Sequence, residues 1–373
     1  MKYMGSKRWM LQNGLGDLIA REVKGVTRFV DLFAGSAAVS THVATKYQVP
    51  VAASDLQQFS AVLAGAVLDR ESRIDAGRLW EKWYPQAREL RRTFRPPSAI
   101  AINRSTVKEH RRWCVEQPWP ITNSYGGHYF STLQSIWLDA LRLALPEHEP
   151  DKTVALAALV QAASQCAAAP GHTAQPFQPT RTAKPFLVDA WNRNVVSYCK
   201  SALFVISEQH ANVRGCARVA EANDAATSVA PGDLAFIDPP YSGVHYSRFY
   251  HVLETLARGG CSRVSGTGRY PAADERPRSR YSLQSESSEA LNQLFEIISS
   301  RGGRAIVTFP QRRCSNGLSG RAVSDLARDH FQVEQHWVAS KFSTLGGNND
   351  HRDARHSTRE LILVLRPQKQ TAK

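Results

Sequence analysis

The stretch Val26-Thr27-Arg28-Phe29-Val30-Asp31-Leu32-Phe33-Ala34-Gly35-Ser36 decides the fold. Val26 to Phe33 is β-branched and aromatic, and the small turn Ala34-Gly35-Ser36 leads into an alanine- and valine-rich run with helical spacing. That is a strand, a glycine turn and a helix. The pattern repeats at once: a strand over Val49 to Ala53 ends at Ser54-Asp55, and a helix is expected over Gln57 to Asp69. Two βα units in succession imply a parallel sheet.

Outward from there, the alternation breaks from Glu71 to about Gly215, where helical periods dominate. This reads as a helical insertion. It contains a basic run, Arg88, Arg91, Arg92, Arg95, Arg104, Lys108, Arg111 and Arg112 against Glu89 and Glu109, which suits either a polyanion-binding face or a solvated surface. The apolar window Val154 to Ala169 is too short to span a bilayer and is expected as a buried helix. Strands resume at Ala217 to Ala222, Asp233 to Ile237 and Arg304 to Phe309, and the runs Gln332 to Ala339 and Glu360 to Leu365, joined by the polar loop Ser343 to Thr358, suggest a closing hairpin. The sheet should have about seven strands. Arg258 to Ser288 has no periodicity and is too long for an idle connection, which points to a binding loop.

Composition narrows the partners. Forty-seven Lys and Arg against thirty-three Asp and Glu give a formal net charge of +14, which favours a polyanion, nucleic acid first. Cys114, Cys166, Cys199, Cys216, Cys261 and Cys314 are scattered without zinc-type spacing and read as reduced thiols, so no metal is expected. Lys2, Lys7 and Arg8 have no apolar stretch behind them, so a secretory signal is not expected and a cytoplasmic location is.

The chemistry should lie where open α/β sheets bind ligands, at the carboxyl ends of the strands. Asp31 to Ala37 forms a small-residue turn that lets backbone approach a ligand closely. Asp55, twenty residues after Gly35, ends the second strand and suits both hydroxyls of a ribose. Asp238-Pro239-Pro240-Tyr241 follows the apolar strand Asp233 to Ile237. Two prolines remove two donors and stiffen the turn, so the Asp238 carboxylate and Pro239 carbonyl form an acceptor array that suits an NH2 group. Holding both hydrogens of an aromatic amine turns its nitrogen toward tetrahedral geometry and frees its lone pair. Tyr241 offers a ring face for a base. Asp-Pro-Pro is also a common turn.

These motifs resemble the Dam-like, α-group DNA adenine methyltransferases. The order is similar: a short motif Tyr3-Met4-Gly5-Ser6-Lys7, the Phe33-x-Gly35 turn, a long insertion, then D-P-P-Y. The resemblance implies a Rossmann-like, seven-stranded α/β catalytic domain from residues 1–70 and 215–373, with a mostly helical target-recognition insertion over 71–214. It implies S-adenosylmethionine (SAM) as methyl donor, double-stranded DNA as substrate, and N6 of a flipped adenine as acceptor. Tyr3 and Lys7 would touch the methionine end of the cofactor. Asp31, Phe33 and Gly35 would line its pocket, Asp55 would hold its ribose and Asp224 its adenine. Asp238, Pro239, Pro240 and Tyr241 would carry catalysis, with Asp238 linking the two sites. Arg248, Tyr250, Arg263, Arg269, Arg278 and Arg280 would meet DNA, and a companion endonuclease is conceivable. Ala37 stands where many relatives have a second glycine. N4-methylation of cytosine and a non-catalytic DNA-binding protein that keeps the SAM fold are the alternatives.

Overall fold

The computed structural model describes residues 7–97, 101–343 and 355–368. Two short helices, α1 (Arg8–Gln12) and α2 (Leu15–Glu22), precede β1 (Phe29–Asp31), α3 (Ala38–Lys46), β2 (Val51–Asp55) and α4 (Gln58–Leu68). The insertion then supplies α5 (Ala76–Arg92), α6 (Arg104–Val115), α7 (Pro120–Tyr125), α8 (Thr132–Leu143), α9 (Asp151–Cys166), α10 (Lys184–Trp191) and α11 (Val195–Glu208). The sheet resumes with β3 (Cys216–Val219), α12 (Ala222–Ala226), β4 (Leu234–Ile237) and α13 (Tyr246–Arg258). A small ribbon, β5 (Val264–Ser265) and β6 (Tyr270–Pro271), comes before α14 (Ser287–Ser300), β7 (Arg304–Pro310), α15 (Gly320–Arg328), β8 (Phe331–Ser343) and β9 (Arg355–Pro367).

The seven-stranded sheet runs β3-β2-β1-β4-β7-β9-β8. Strands β3, β2, β1, β4 and β7 are parallel to their neighbours, with Asp31 beside Ala53 and Ile237 beside Val307, while β9 and β8 close the edge antiparallel. All residues of β1 and β4 are buried, as expected for central strands covered by helices on both faces. Successive connections leave β1 toward β2 on one side and reach β4 on the other, so the strand order reverses between β1 and β4. A crevice opens at that switch point, and Asp31 and Asp238 lie at its two lips.

The expected strands, helix α4, the buried helix α9 and the edge hairpin are all present. The insertion is helical and lies between β2 and β3, but it is not a detached lobe. Helix α4 is buried from Phe59 to Leu68, enclosed between the sheet and the insertion, and one continuous core includes Phe29, Phe236, Phe59, Leu159 and Leu203. An apolar helix with no solvent face is what such enclosure requires. The loop from Arg258 to Ser288 carries the β5–β6 ribbon, whose two-residue strands are too short to leave a period in the sequence. Most of the expected 343–358 loop lies outside the described residues. Among the described residues no helix is long and apolar enough to cross a membrane, and no His, Cys, Asp and Glu cluster could hold a metal ion.

Candidate active site

A cleft opens at the switch point, lined by the ends of β1, β2 and β4 and the turns that follow them. Its first end is built from the β1 and β2 turns. Gly35 donates its backbone N–H to Asp55 Oδ2 at 2.8 Å, and Gln57 donates to Oδ1 at 2.9 Å. Both carboxylate oxygens are thus held by backbone donors, Leu56 adding a third amide; an ionised carboxylate still has acceptor capacity toward hydroxyls in the cleft. Burial raises the Asp55 pKa to about 6 against the pull of those amides. Gly35 and Ala37 both have positive φ, 51° and 58°. In the left-handed region the Ala37 side chain costs roughly 1–2 kcal/mol that a glycine would not.

Asp31 lies deeper, 1 % exposed, and accepts hydrogen bonds from the Ser40 hydroxyl and, at 3.3 Å, the Phe33 amide. Burial nonetheless pushes its pKa up to about 7. Phe33 packs edge-on against Tyr281 at 5.0 Å, and both rings wall the cleft.

The second end is D-P-P-Y. Asp238 Oδ1 accepts from Thr308 Oγ1 at 2.8 Å and pairs with Lys7 Nζ at 2.8 Å. The Asp238 side chain remains 19 % exposed, so an oxygen is reachable from the cleft. Burial raises the Asp238 pKa, Lys7 and Thr308 oppose that, and Glu360 adds to it. Lys7 itself is 5 % exposed; burial alone would lower its pKa, but Asp238 and Glu360 together raise it. The turn is clamped from behind. Buried Asn316 donates to the Pro240 carbonyl at 2.9 Å and to the Tyr281 carbonyl at 3.0 Å, and Gly243 donates its amide to Ser315 Oγ at 2.8 Å. The Pro240 carbonyl is thus engaged by Asn316. Tyr241 lines the cleft and hydrogen-bonds Tyr246.

The structure therefore gathers Lys7, Asp31, Phe33, Gly35, Asp55, Asp238, Pro239, Pro240 and Tyr241 around one cleft. Tyr3 lies outside the described residues. Asp224 does not join: it is exposed on α12, one turn away from the cleft wall, which is made there by Ala220, Glu221 and Ala222. Among the residues expected at DNA, Arg248, Arg263 and Arg278 are exposed. Tyr250 is 1 % exposed, at a kink in α13 with φ −130°, and cannot meet DNA without unpacking. Arg269 donates to the Ser124 and Asn123 carbonyls at the end of α7, and Arg280 is engaged with Gln293 and Glu286, so both hold the fold.

Thr308, Asn316, Tyr281 and Glu360 were not anticipated. Thr308 and Glu360 leave a faint mark, a polar residue inside or beside the apolar runs Arg304 to Phe309 and Leu361 to Leu365. Asn316 sits in the loop Cys314-Ser315-Asn316-Gly317, where polar residues are ordinary. Glu254 was also missed: its carboxylate caps the start of α4 through the Gln58 and Phe59 amides at 3.0 and 3.1 Å, fixing the helix that follows Asp55.

The family model for D12 class N6 adenine-specific DNA methyltransferases matches residues 3–91, from the Tyr3 motif through α5, and bears out the resemblance read from the sequence. The chain is 25% identical over 312 residues to the Type II methyltransferase M.FokI of Planomicrobium okeanokoites, covering 79% of this chain and 42% of that protein. It is 25% identical over 318 residues to the modification methylase LlaI of Lactococcus lactis subsp. lactis, covering 80% of this chain and 44% of that protein. The chain thus spans less than half the length of these relatives.

Proposed function

We propose that the chain transfers a methyl group from SAM to the N6 amino group of adenine in double-stranded DNA. The observation that carries this is the Asp238 end of the cleft: a carboxylate oriented by Lys7 and Thr308, followed by two prolines and a tyrosine ring, in one cleft with the Asp55 carboxylate at its other end. When bound, the cofactor supplies a sulfonium methyl whose carbon–sulfur bond breaks with its electron pair left on sulfur as the amino nitrogen's pair takes the methyl. Asp55 is suited to the ribose hydroxyls, and Asp31, a buried carboxylate with no ion pair among the described residues, to the methionine ammonium. Glu221 and Ala222, rather than Asp224, border the remaining nucleoside space.

In this reading Asp238 and the Pro239 carbonyl each accept one amino hydrogen, and Tyr241 stacks on the flipped base. Holding the amine in line with the methyl is the main contribution of these residues, and it is one of positioning. The amino nitrogen releases one proton after transfer, and Asp238 is the nearest acceptor. Residues 71–214 would recognise the target, with Arg248, Arg263 and Arg278 contacting phosphates. By the names of its relatives, the methylation would serve DNA modification; it would take place in the cytoplasm, where the six free thiols stay reduced. Sequencing of modified bases in DNA from cells expressing the chain tests the proposal. N6-methyladenine at a recurring site is expected; N4-methylcytosine would move the substrate to cytosine, and unmodified DNA would contradict both.

A further inference from the structure

Two arginines stand over one tyrosine ring beside the cleft. The Arg248 guanidinium carbon lies 4.8 Å from the centre of the Tyr270 ring, and that of Arg276 lies 5.6 Å from it. The ring is anchored. The Tyr270 hydroxyl donates to the Ala174 carbonyl at 2.6 Å, and the turn before it is pinned at the Gly268 carbonyl, which accepts from the Tyr129 hydroxyl at 2.9 Å and lies 2.9 Å from His251 Nε2. Arg248 adjoins Ser247 and Arg276 adjoins Pro277; both neighbours line the cleft, as does Tyr246, the hydrogen-bond partner of Tyr241. The Ser279 amide, donating to His245 Nδ1 at 3.3 Å, ties the two segments together.

Attraction to the ring holds each guanidinium, but two like charges on one ring also repel. Among the described residues neither arginine joins an ion pair, and Arg276 Nε has no hydrogen-bond acceptor. The acids of the same segments are engaged elsewhere: Glu254 by Arg258 and the amides of α4, Glu275 by the Ser262 amide and hydroxyl, Glu286 by Arg280. Asp274 is exposed and pairs with neither arginine. The charges converge on His245, whose pKa is lowered by burial first and then by Arg278, Arg276 and Arg248, against Glu286. Such a group answers to an anion with several acceptor oxygens, and a phosphodiester is one.

We propose that Arg248 and Arg276, positioned by Tyr270, together bind one phosphate of the DNA backbone, the one that flanks the nucleotide turned into the cleft. The inference rests on the reading of the cleft as the site of a flipped base and adds the residues that hold the displaced strand beside it. Rotating a nucleotide out of the stack about its backbone displaces the phosphates on either side of it, so a phosphate contact next to the cleft is completed only in the flipped state. Arg276 then favours flipping beyond any general attraction for DNA.

Binding of the full chain to a labelled duplex carrying the site at which sequencing finds methylated adenine tests this. In separate duplexes a neutral methylphosphonate replaces each phosphate flanking the target adenine, or one outside the site. For the parent, the neutral linkage at one flanking position should weaken binding about tenfold, the scale of a hydrogen bond to a charged group. Arg276→Ala should weaken binding to the unmodified duplex by a similar factor and lose no more than about twofold further on that neutral linkage, whereas the linkage outside the site should act on parent and variant alike. Tyr270→Leu should lose part of the same affinity and Tyr270→Phe, which keeps the ring, should stay close to the parent; equal behaviour of the two would overturn the positioning role. Additive losses from Arg276→Ala and the neutral linkage would overturn the inference, as would full affinity in Arg276→Ala. Should Arg276→Ala not fold, Arg248→Ala, at an exposed position, is read by the same criteria. With 2-aminopurine in place of the target adenine, a parent that leaves it stacked would sink the flipped-base reading itself; a parent that flips it while the flanking linkages prove indifferent overturns this inference alone.

Discussion

The two ends of the cleft are built in opposite ways. The end around Asp31, Gly35 and Asp55 comes from two consecutive βα units, and its contacts span at most a few tens of residues: Ser40 to Asp31, Gly35 to Asp55, Gln57 to Asp55. The D-P-P-Y end is held by residues far away in the chain: Lys7, Thr308, Asn316 and Glu360. One end is a local motif; the other is a junction that exists only after the sheet has closed. The first should therefore tolerate disturbance of the second, and substitutions can test how separable they are.

The largest effect is expected at Asp31. Its folded-state pKa of about 7 lies above the ordinary aspartate value, so the folded chain favours the protonated form. The associated stability is fully present below pH ~4 and is lost as pH rises through 7. Asp31→Asn should remove that loss, making the cofactor-free chain more stable at pH 8 than the parent, on the order of a few kcal/mol, with little difference at pH 4. Urea midpoints at the two pH values measure it. A parent and variant with the same pH dependence would show that Asp31 is not burdened by its burial.

Next is Asp55→Ala, which removes both acceptors proposed for the ribose. Two hydrogen bonds to a charged group justify a loss of roughly a hundredfold in SAM affinity by calorimetry. Retained affinity would place the ribose elsewhere. Asn316→Ala probes the other end: freeing the Pro240 and Tyr281 carbonyls should loosen the turn and cut methylation by about tenfold while SAM affinity stays within about twofold. A parallel fall in both would show that the ends are one cooperative unit. The smallest effect belongs to Ala37→Gly, which relieves the left-handed strain at a cost in chain entropy and should stabilise the chain by no more than about 1 kcal/mol; a destabilised variant would mean that the packing of the buried alanine methyl outweighs that relief.

The same contrast governs what the sequence discloses. Asp31, Gly35 and Asp55 are legible because a βα turn writes its strand, glycine and acid in order within thirty residues. The D-P-P-Y acceptors are legible for the same local reason. Their support is not: which residue reaches Asp238 from β7, β9 or the N-terminal segment depends on strand order and register, and these leave only an isolated polar residue in an apolar run. Asp224 illustrates the limit from the other side. It stands in the right segment, but helical geometry turns Glu221 and Ala222 to the cleft and Asp224 to solvent. Tyr250 and Arg269, expected at DNA, show the same limit, since a tyrosine or arginine serves the core or a helix end as readily as a phosphate.

Direct methyl transfer, as proposed, has Asp238 gripping the amino group of adenine. Duplex DNA incubated with methyl-tritiated SAM and either the parent chain or Asp238→Ala, then digested to nucleosides and separated by chromatography, tests it most directly. The parent should place the label in N6-methyladenine, and the variant should do so at least about a hundredfold more slowly with SAM binding retained; label in another nucleoside, or undiminished transfer by Asp238→Ala, would contradict it.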